Sequence, residues 1–110
     1  MVVFSQNLVE ELRAQGYILG HAGHGNLRVT LVWDPSNKSE WAALEDIKED
    51  INNRIVPRAV QLEGTCTGEH GIGIGKRKFM SLEHDLSYDL MKRIKKAVDP
   101  KGLMNPDKIF

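Results

Sequence analysis

The sequence holds one cysteine, no net charge and few aromatic residues, and each scarcity narrows what the chain can be. A lone Cys66 leaves no internal disulfide and no cysteine pair at zinc-finger spacing, so nothing calls for an oxidising compartment. Fifteen basic residues balance fifteen acidic ones, and aromatics make up 6%, which together argue against a nucleic-acid or membrane-surface binder. The longest stretch without a formal charge, residues 14–27, is interrupted by Gln15, His21, His24 and Asn26, so no transmembrane segment is expected. The opening Met1-Val2-Val3-Phe4-Ser5 has neither a basic region nor a long apolar run, and reads as no signal or transit peptide. At 110 residues there is room for one modest core, hence one small domain at most. No repeat, low-complexity tract or linker divides it.

The charge that is present is uneven. Residues 1–55 carry 5 basic and 8 acidic side chains, whereas residues 56–110 carry 10 and 7. The basic excess sits in Lys76-Arg77-Lys78 and in Lys92, Arg93, Lys95 and Lys96, a pattern of solvated helix faces or a rim attracting small anions. Leu8, Val9 and Leu12 predict a short helix over residues 5–15, stopped by Gly16. Tyr17-Ile18-Leu19 predicts a brief strand, followed by the turn-rich Gly23-His24-Gly25-Asn26. Leu27, Val29, Leu31 and Trp33 then alternate with Arg28, Thr30 and Val32, giving a strand–loop–strand hairpin closed by Asp34-Pro35-Ser36-Asn37. Ser39 is a candidate N-cap for the strongest helix, through Trp41, Leu44, Ile47, Ile51 and Ile55, which Pro57 should end or bend. A further helix is expected from about Leu82 to Val98, terminated by Asp99-Pro100-Lys101-Gly102, with a tail apolar enough to dock. The fold class is α+β: a small antiparallel β-hairpin sheet packed by amphipathic helices.

Two stretches are richer in chemistry than folding requires: Gly20-His21-Ala22-Gly23-His24-Gly25-Asn26-Leu27-Arg28 and residues 64–77, Gly64 to Arg77. The glycines of the second do not make a phosphate loop. A match ending at Gly75-Lys76 would need Gly where His70 stands and Ser or Thr where Arg77 stands. Nor does Gly71-x-Gly73 complete a dinucleotide fingerprint, since its third glycine is missing and no strong strand precedes it. What remains is Glu69-His70 between Gly68 and Gly71, where the glycines allow a bend that turns both side chains toward one pocket. An imidazole can accept a proton at neutral pH, and carboxylate plus imidazole is a common divalent-metal donor pair, although such a pair is more often a plain surface loop pair. His21 and His24 are likewise either ligands or hydrogen-bonded turn residues, and His84 beside Asp85 reads as structural.

At these residues the chain resembles a family. Gly20-His21-x-Gly23-x-Gly25-Asn26, the run from Gly64 through Glu69-His70-Gly71 to Gly73, and the stretch from Asp99 through Leu103-Met104-Asn105-Pro106 to Lys108 are similar to the C-terminal part of FAD-linked, cytochrome-dependent D-lactate dehydrogenases. These belong to the vanillyl-alcohol-oxidase superfamily, beside glycolate oxidase subunits and D-2-hydroxyglutarate dehydrogenases. The resemblance, from about Tyr17 to Phe110, implies that residues 1–110 are the C-terminal portion of a substrate or cap domain, with the FAD-binding domain absent. It implies oxidation of D-lactate, or a related D-2-hydroxy acid, to the 2-oxo acid, with electrons leaving through flavin to cytochrome c or another acceptor. Residue by residue, His70 is implied as the general base, His21 and Glu69 as ligands of a divalent metal (Zn or Mn), and Asn105 as a contact toward FAD.

Two positions depart from the family motif: His24 stands where it has Asp, and Arg28 where it has a second metal-binding His. Arginine has no lone pair to donate, so either the metal site is weakened or His24 substitutes. The chain is expected to be inactive alone and to need an N-terminal FAD-domain polypeptide. The alternative is a non-catalytic metal-binding or partner-binding fragment, the product of a split or degenerate gene. By resemblance, the compartment is mitochondrial in a eukaryote and membrane-associated in a bacterium.

Overall fold

The computed structural model describes residues 1–110, except for the side chains of residues 38–40 and 42. The expected Ser39 cap lies outside the described residues. Secondary structure runs α1 (Val2–Glu11), β1 (Gly16–His21), β2 (Asn26–Leu31), α2 (Lys38–Gln61), α3 (Met80–His84) and α4 (Leu86–Val98), with 3-10 turns at Ala22–His24 and Arg77–Phe79. The α+β expectation is met, with one antiparallel two-stranded sheet. In place of the single core that the length allowed, the chain forms two compact units, Met1–Arg58 and Ala59–Phe110.

In the first unit, Leu8, Val9 and Ile51 form the core, with Val29, Leu31, Ile47 and Ile55 against it. These are the inward positions expected of α1, β2 and α2, so hydrophobic periodicity was the correct guide here. Arg54 grips Glu11 with both guanidinium nitrogens at 2.8 Å, tying α1 to α2. α1 begins and ends earlier than expected. Its stop is Arg13, which takes a left-handed φ of 51°, while the Arg13 and Ala14 amides donate to the Glu10 and Val9 carbonyls at 3.0 Å. Gly16 is instead the first strand residue, where a Cβ would come within 2.8 Å of the Thr30 carbonyl oxygen. Its role is close approach of two backbones.

The register pairs Gly16 with Leu31 and His21 with Asn26, and the hairpin closes through Ala22–Gly25. Asp34–Asn37 is a separate turn, leading from the sheet toward α2, in which the Ser36 amide and hydroxyl donate to Asp34 Oδ1 at 2.9 and 2.7 Å. β2 stops two residues short of Trp33. The Val32 amide makes the last cross-strand bond, to the Gln15 carbonyl at 2.8 Å, and beyond it the chain leaves the sheet. Trp33 packs edge-on to Trp41 at 5.7 Å.

Pro57 does not end α2, which continues to Gln61. Proline removes one backbone donor, and the helix closes four residues later. There the Glu63 and Gly64 amides donate to the Val60 and Ala59 carbonyls at 2.9 and 2.8 Å.

In the second unit, the single helix expected over 82–98 is two. Asp85 breaks it with φ 42° and ψ −123°, and α4 starts afresh behind it. Cys66, Phe79, Met80 and Tyr88 are the buried apolar side chains. The tail docks as expected, but through its last residues and its backbone. Phe110 stacks on Tyr88 at 5.8 Å, the Tyr88 hydroxyl donates to the Ile109 carbonyl at 2.8 Å, and the Ile109 amide donates to the Gly73 carbonyl at 2.9 Å. Leu103 and Met104, the apolar residues that suggested docking, stay exposed.

Candidate functional site

The run from Gly64 to Gly75 has no strand or helix and is shaped by side chains bonding to nearby backbone. Cys66 is its anchor. Its side chain is buried, and its amide donates to Glu83 Oε2 at 2.6 Å, fixing the run to α3. Burial, reinforced by the Glu83 carboxylate, pushes the Cys66 thiol up to about 11, so it is a packing thiol and not a nucleophile. Burial pushes the Glu83 carboxyl up, but hydrogen bonds from the Cys66 thiol and amide outweigh it and hold the group below its ordinary range. Thr65 Oγ1 donates to the Thr67 carbonyl, and Thr67 Oγ1 to the Gly71 carbonyl at 2.9 Å. Gly71 closes the bend with φ 74°.

This bend brings Glu69 and His70 together, their Oε1 and Nε2 atoms 3.6 Å apart. The His70 side chain is 71% exposed and that of Glu69 47%. The pair therefore stands open on the second unit and is not enclosed in a pocket. His84, expected to be structural, pairs with Glu83 at 3.6 Å. Asn105 lies in the exposed tail with φ 46°, its carbonyl accepting from the Lys108 amide at 3.3 Å.

His21 belongs to the first unit, at the end of the hairpin. Its amide donates to Asn26 Oδ1 at 3.1 Å, and its ring lies 6.3 Å from that of His24. The register sets Leu19 opposite Arg28 and His21 opposite Asn26. Alternation then places His21 and Arg28 on one sheet face as diagonal neighbours, about 7–8 Å apart. Sequence reasoning missed Cys66 and Glu83 as the posts that hold the Glu69-His70 bend. The available signal was a single apolar-type residue inside a Gly/Thr run. A cleft of about 660 Å³, lined by Val2, Gln6, Val9, Glu10, Tyr17 and Val32 among others, contains none of the expected site residues.

With this geometry in hand, the chain can be placed among known proteins. Residues 1–109 match the family model of FAD linked oxidases, C-terminal domain. The chain belongs to this family. It is 47% identical over 94 residues to the mitochondrial D-lactate dehydrogenase [cytochrome] 1 of Saccharomyces cerevisiae, covering 84% of this chain and 15% of that protein. The mitochondrial D-lactate dehydrogenase [cytochrome] of Kluyveromyces lactis is 40% identical over 105 residues, covering 92% and 17%. The glycolate oxidase subunit GlcD of Bacillus subtilis is 39% identical over 92 residues, covering 83% and 19%. This chain thus spans less than a fifth of the length of each of these relatives of the FAD-linked oxidase family.

The two groups implied by the resemblance can be tested against the residues present. FAD needs a cradle for its phosphates, such as a parallel strand–turn–helix unit. The sheet here is two antiparallel strands, and among the described residues no strand leads into the Gly-rich run. For the metal, no three His, Cys, Asp or Glu side chains are gathered among the described residues. Two imidazoles on one tetrahedral zinc bring their ring centres to roughly 5 Å, closer than the 6.3 Å between His21 and His24. Arg28, permanently charged and without a lone pair, shares the His21 face and opposes a cation there. His21 and Glu69, the two ligands implied by the resemblance, belong to different units.

Proposed function

We propose that this chain supplies the proton-accepting part of an oxidoreductase that converts D-lactate, or a closely related D-2-hydroxy acid, to its 2-oxo acid. The Glu69–His70 pair, bent together to 3.6 Å on a loop anchored by Cys66, is the observation that carries the reading. Oxidation at a hydroxyl-bearing carbon removes a proton from oxygen and a hydride from carbon. His70 takes the proton on Nδ1, the ring nitrogen that Glu69 does not face, while the Glu69 carboxylate beside Nε2 orients the ring and balances the charge gained with that proton. FAD, the group in the family's name, supplies the hydride acceptor when bound. Asn105, exposed in the tail, is the proposed contact toward it. Cytochrome c is the proposed final acceptor and the mitochondrion the proposed location, supported by the Saccharomyces and Kluyveromyces relatives, which are named as mitochondrial and as cytochrome-linked. Among the described residues no helix is long and apolar enough to cross a membrane.

A second reading, a partner-binding segment without catalysis, is favoured by the wide exposure of His70 and of the apolar side of α4. A chimera separates the two: the matched stretch of the Saccharomyces enzyme is replaced by this chain, and D-lactate-driven cytochrome c reduction is measured. The chimera is expected to turn over. His70→Gln is expected to lower kcat by about 10²–10⁴-fold with flavin retained. Equal rates from the chimera and its His70→Gln variant would remove His70 from the chemistry and leave the second reading. The purified 110-residue chain alone is expected to show no D-lactate oxidation.

A further inference from the structure

α4 presents two unlike faces. Its Tyr88 side is occupied by the chain's own tail, with Phe110 stacked on the Tyr88 ring and the Ile109 carbonyl on its hydroxyl. Lys95 holds the same tail further along, donating to Asp99 and to the Met104 carbonyl at 2.5 and 2.6 Å. The other side carries Leu86, Leu90, Ile94 and Val98, four apolar residues at intervals of four, with relative exposures of 80, 58, 56 and 68%. Such spacing forms one continuous ridge along a helix. Its exposed area is on the order of 400 Å², within the range of the largest single apolar patch on a monomer, where a patch often marks an interface.

We infer that this ridge is a docking surface for the polypeptide that makes up the remainder of the FAD-linked oxidase fold. Two observations and a packing rule select that occupant. The tail is already seated on the opposite face and leaves the ridge bare. The relatives are several times longer than this chain, so the family fold contains ample polypeptide to form the opposing layer. A helix with a bare apolar ridge is half of a two-layer packing. A second copy of this chain fits less well. The remaining exposed charges of α4 are Lys92, Arg93 and Lys96 against Asp89, so an α4-to-α4 contact brings net like charge together. The inference rests on family membership and does not depend on His70 chemistry.

The test is co-expression of the full 110-residue chain with the Saccharomyces relative from which the matched stretch has been deleted. A stable complex is expected on size exclusion, with co-elution reduced at least tenfold by the double variant Leu90→Glu/Ile94→Glu. Both residues are more than half exposed, so unchanged circular dichroism of the variant chain is expected to show that its fold survives. Absence of a complex, or equal co-elution of the variant, overturns the inference. So does a dimer of the chain alone that the same substitutions disperse. A complex that forms but does not oxidise D-lactate leaves the docking surface standing and counts against the proposed function alone.

Discussion

Glu83 and Asp99, two carboxylates of the second unit, hold backbone in place by hydrogen bonding, and each leads to a measurable prediction. Cys66 is buried beside the Glu83 carboxylate, and its thiol is pushed up to about 11 from 9.0. At pH 8 the native thiolate population is therefore expected to be roughly a hundredfold below that of the unfolded chain. Reaction with a thiol-specific disulfide reagent should be slower in native buffer than in urea by at least that factor. Glu83→Gln should recover part of the rate, because it removes the neighbouring negative charge, and an unchanged rate would mean that burial alone protects the thiol. Asp99 accepts from Lys95 at 2.5 Å and from the Leu103 and Met104 amides at 2.9 Å. The Lys95 ammonium first, then the Met104 amide, lower its carboxyl to about 2 from 3.8. With the folded value depressed, the stabilisation is present above the unfolded value and lost as pH falls from about 4 through 2. Asp99→Asn should lower the thermal midpoint at pH 7 and flatten its dependence on pH across that window. A variant that keeps the wild-type acid slope would place the slope elsewhere.

At the level of elements, the sequence was most legible where one face of a strand or helix meets the core of its own unit. The alternation that sets Val29 and Leu31 on one face and the four-residue spacing of Ile47, Ile51 and Ile55 both point inward, because local periodicity and burial coincide there. Boundaries were less legible. Arg13 and Asp85 adopt positive φ as non-glycine residues, and no composition signal marks such positions, so α1 was extended and α3–α4 fused. Gly16 looked like a helix stop because glycine commonly is one. Its actual constraint, like that of Gly20, comes from the opposite strand, since a Cβ on Gly20 would lie 2.6 Å from the Asn26 carbonyl oxygen. Gly20→Ala should therefore push the strands apart beside His21 and cost about 1–3 kcal/mol in chemical denaturation. The cross-strand amide protons of residues 19–28 should exchange faster in that variant. A neutral substitution would show that the hairpin end yields freely.

For the whole molecule, the legible and illegible parts of the candidate site divide between local and distant relations. The proximity of Glu69 and His70 could be read from their glycine-flanked adjacency, whereas the Cys66–Glu83 anchor joins residues 17 positions apart and left no pattern. The apolar stripe of α4, Leu86, Leu90, Ile94 and Val98, shows the same limit. Its four-residue spacing suits a buried face, yet the stripe is exposed while the chain's own tail covers the Tyr88 side. A periodic face states that something should cover it, not that this chain does. The contrast can be measured in stability. Ile51 is 6% exposed and sits in the first unit's core, so Ile51→Ala should cost about 2–5 kcal/mol. Leu90 is 58% exposed, so Leu90→Glu should change the stability of the isolated chain by no more than about 0.5 kcal/mol. Urea unfolding of both variants checks the pair. A loss at Leu90 as large as that at Ile51 would mean the ridge is already covered in the isolated chain, and no surface would remain there for a partner.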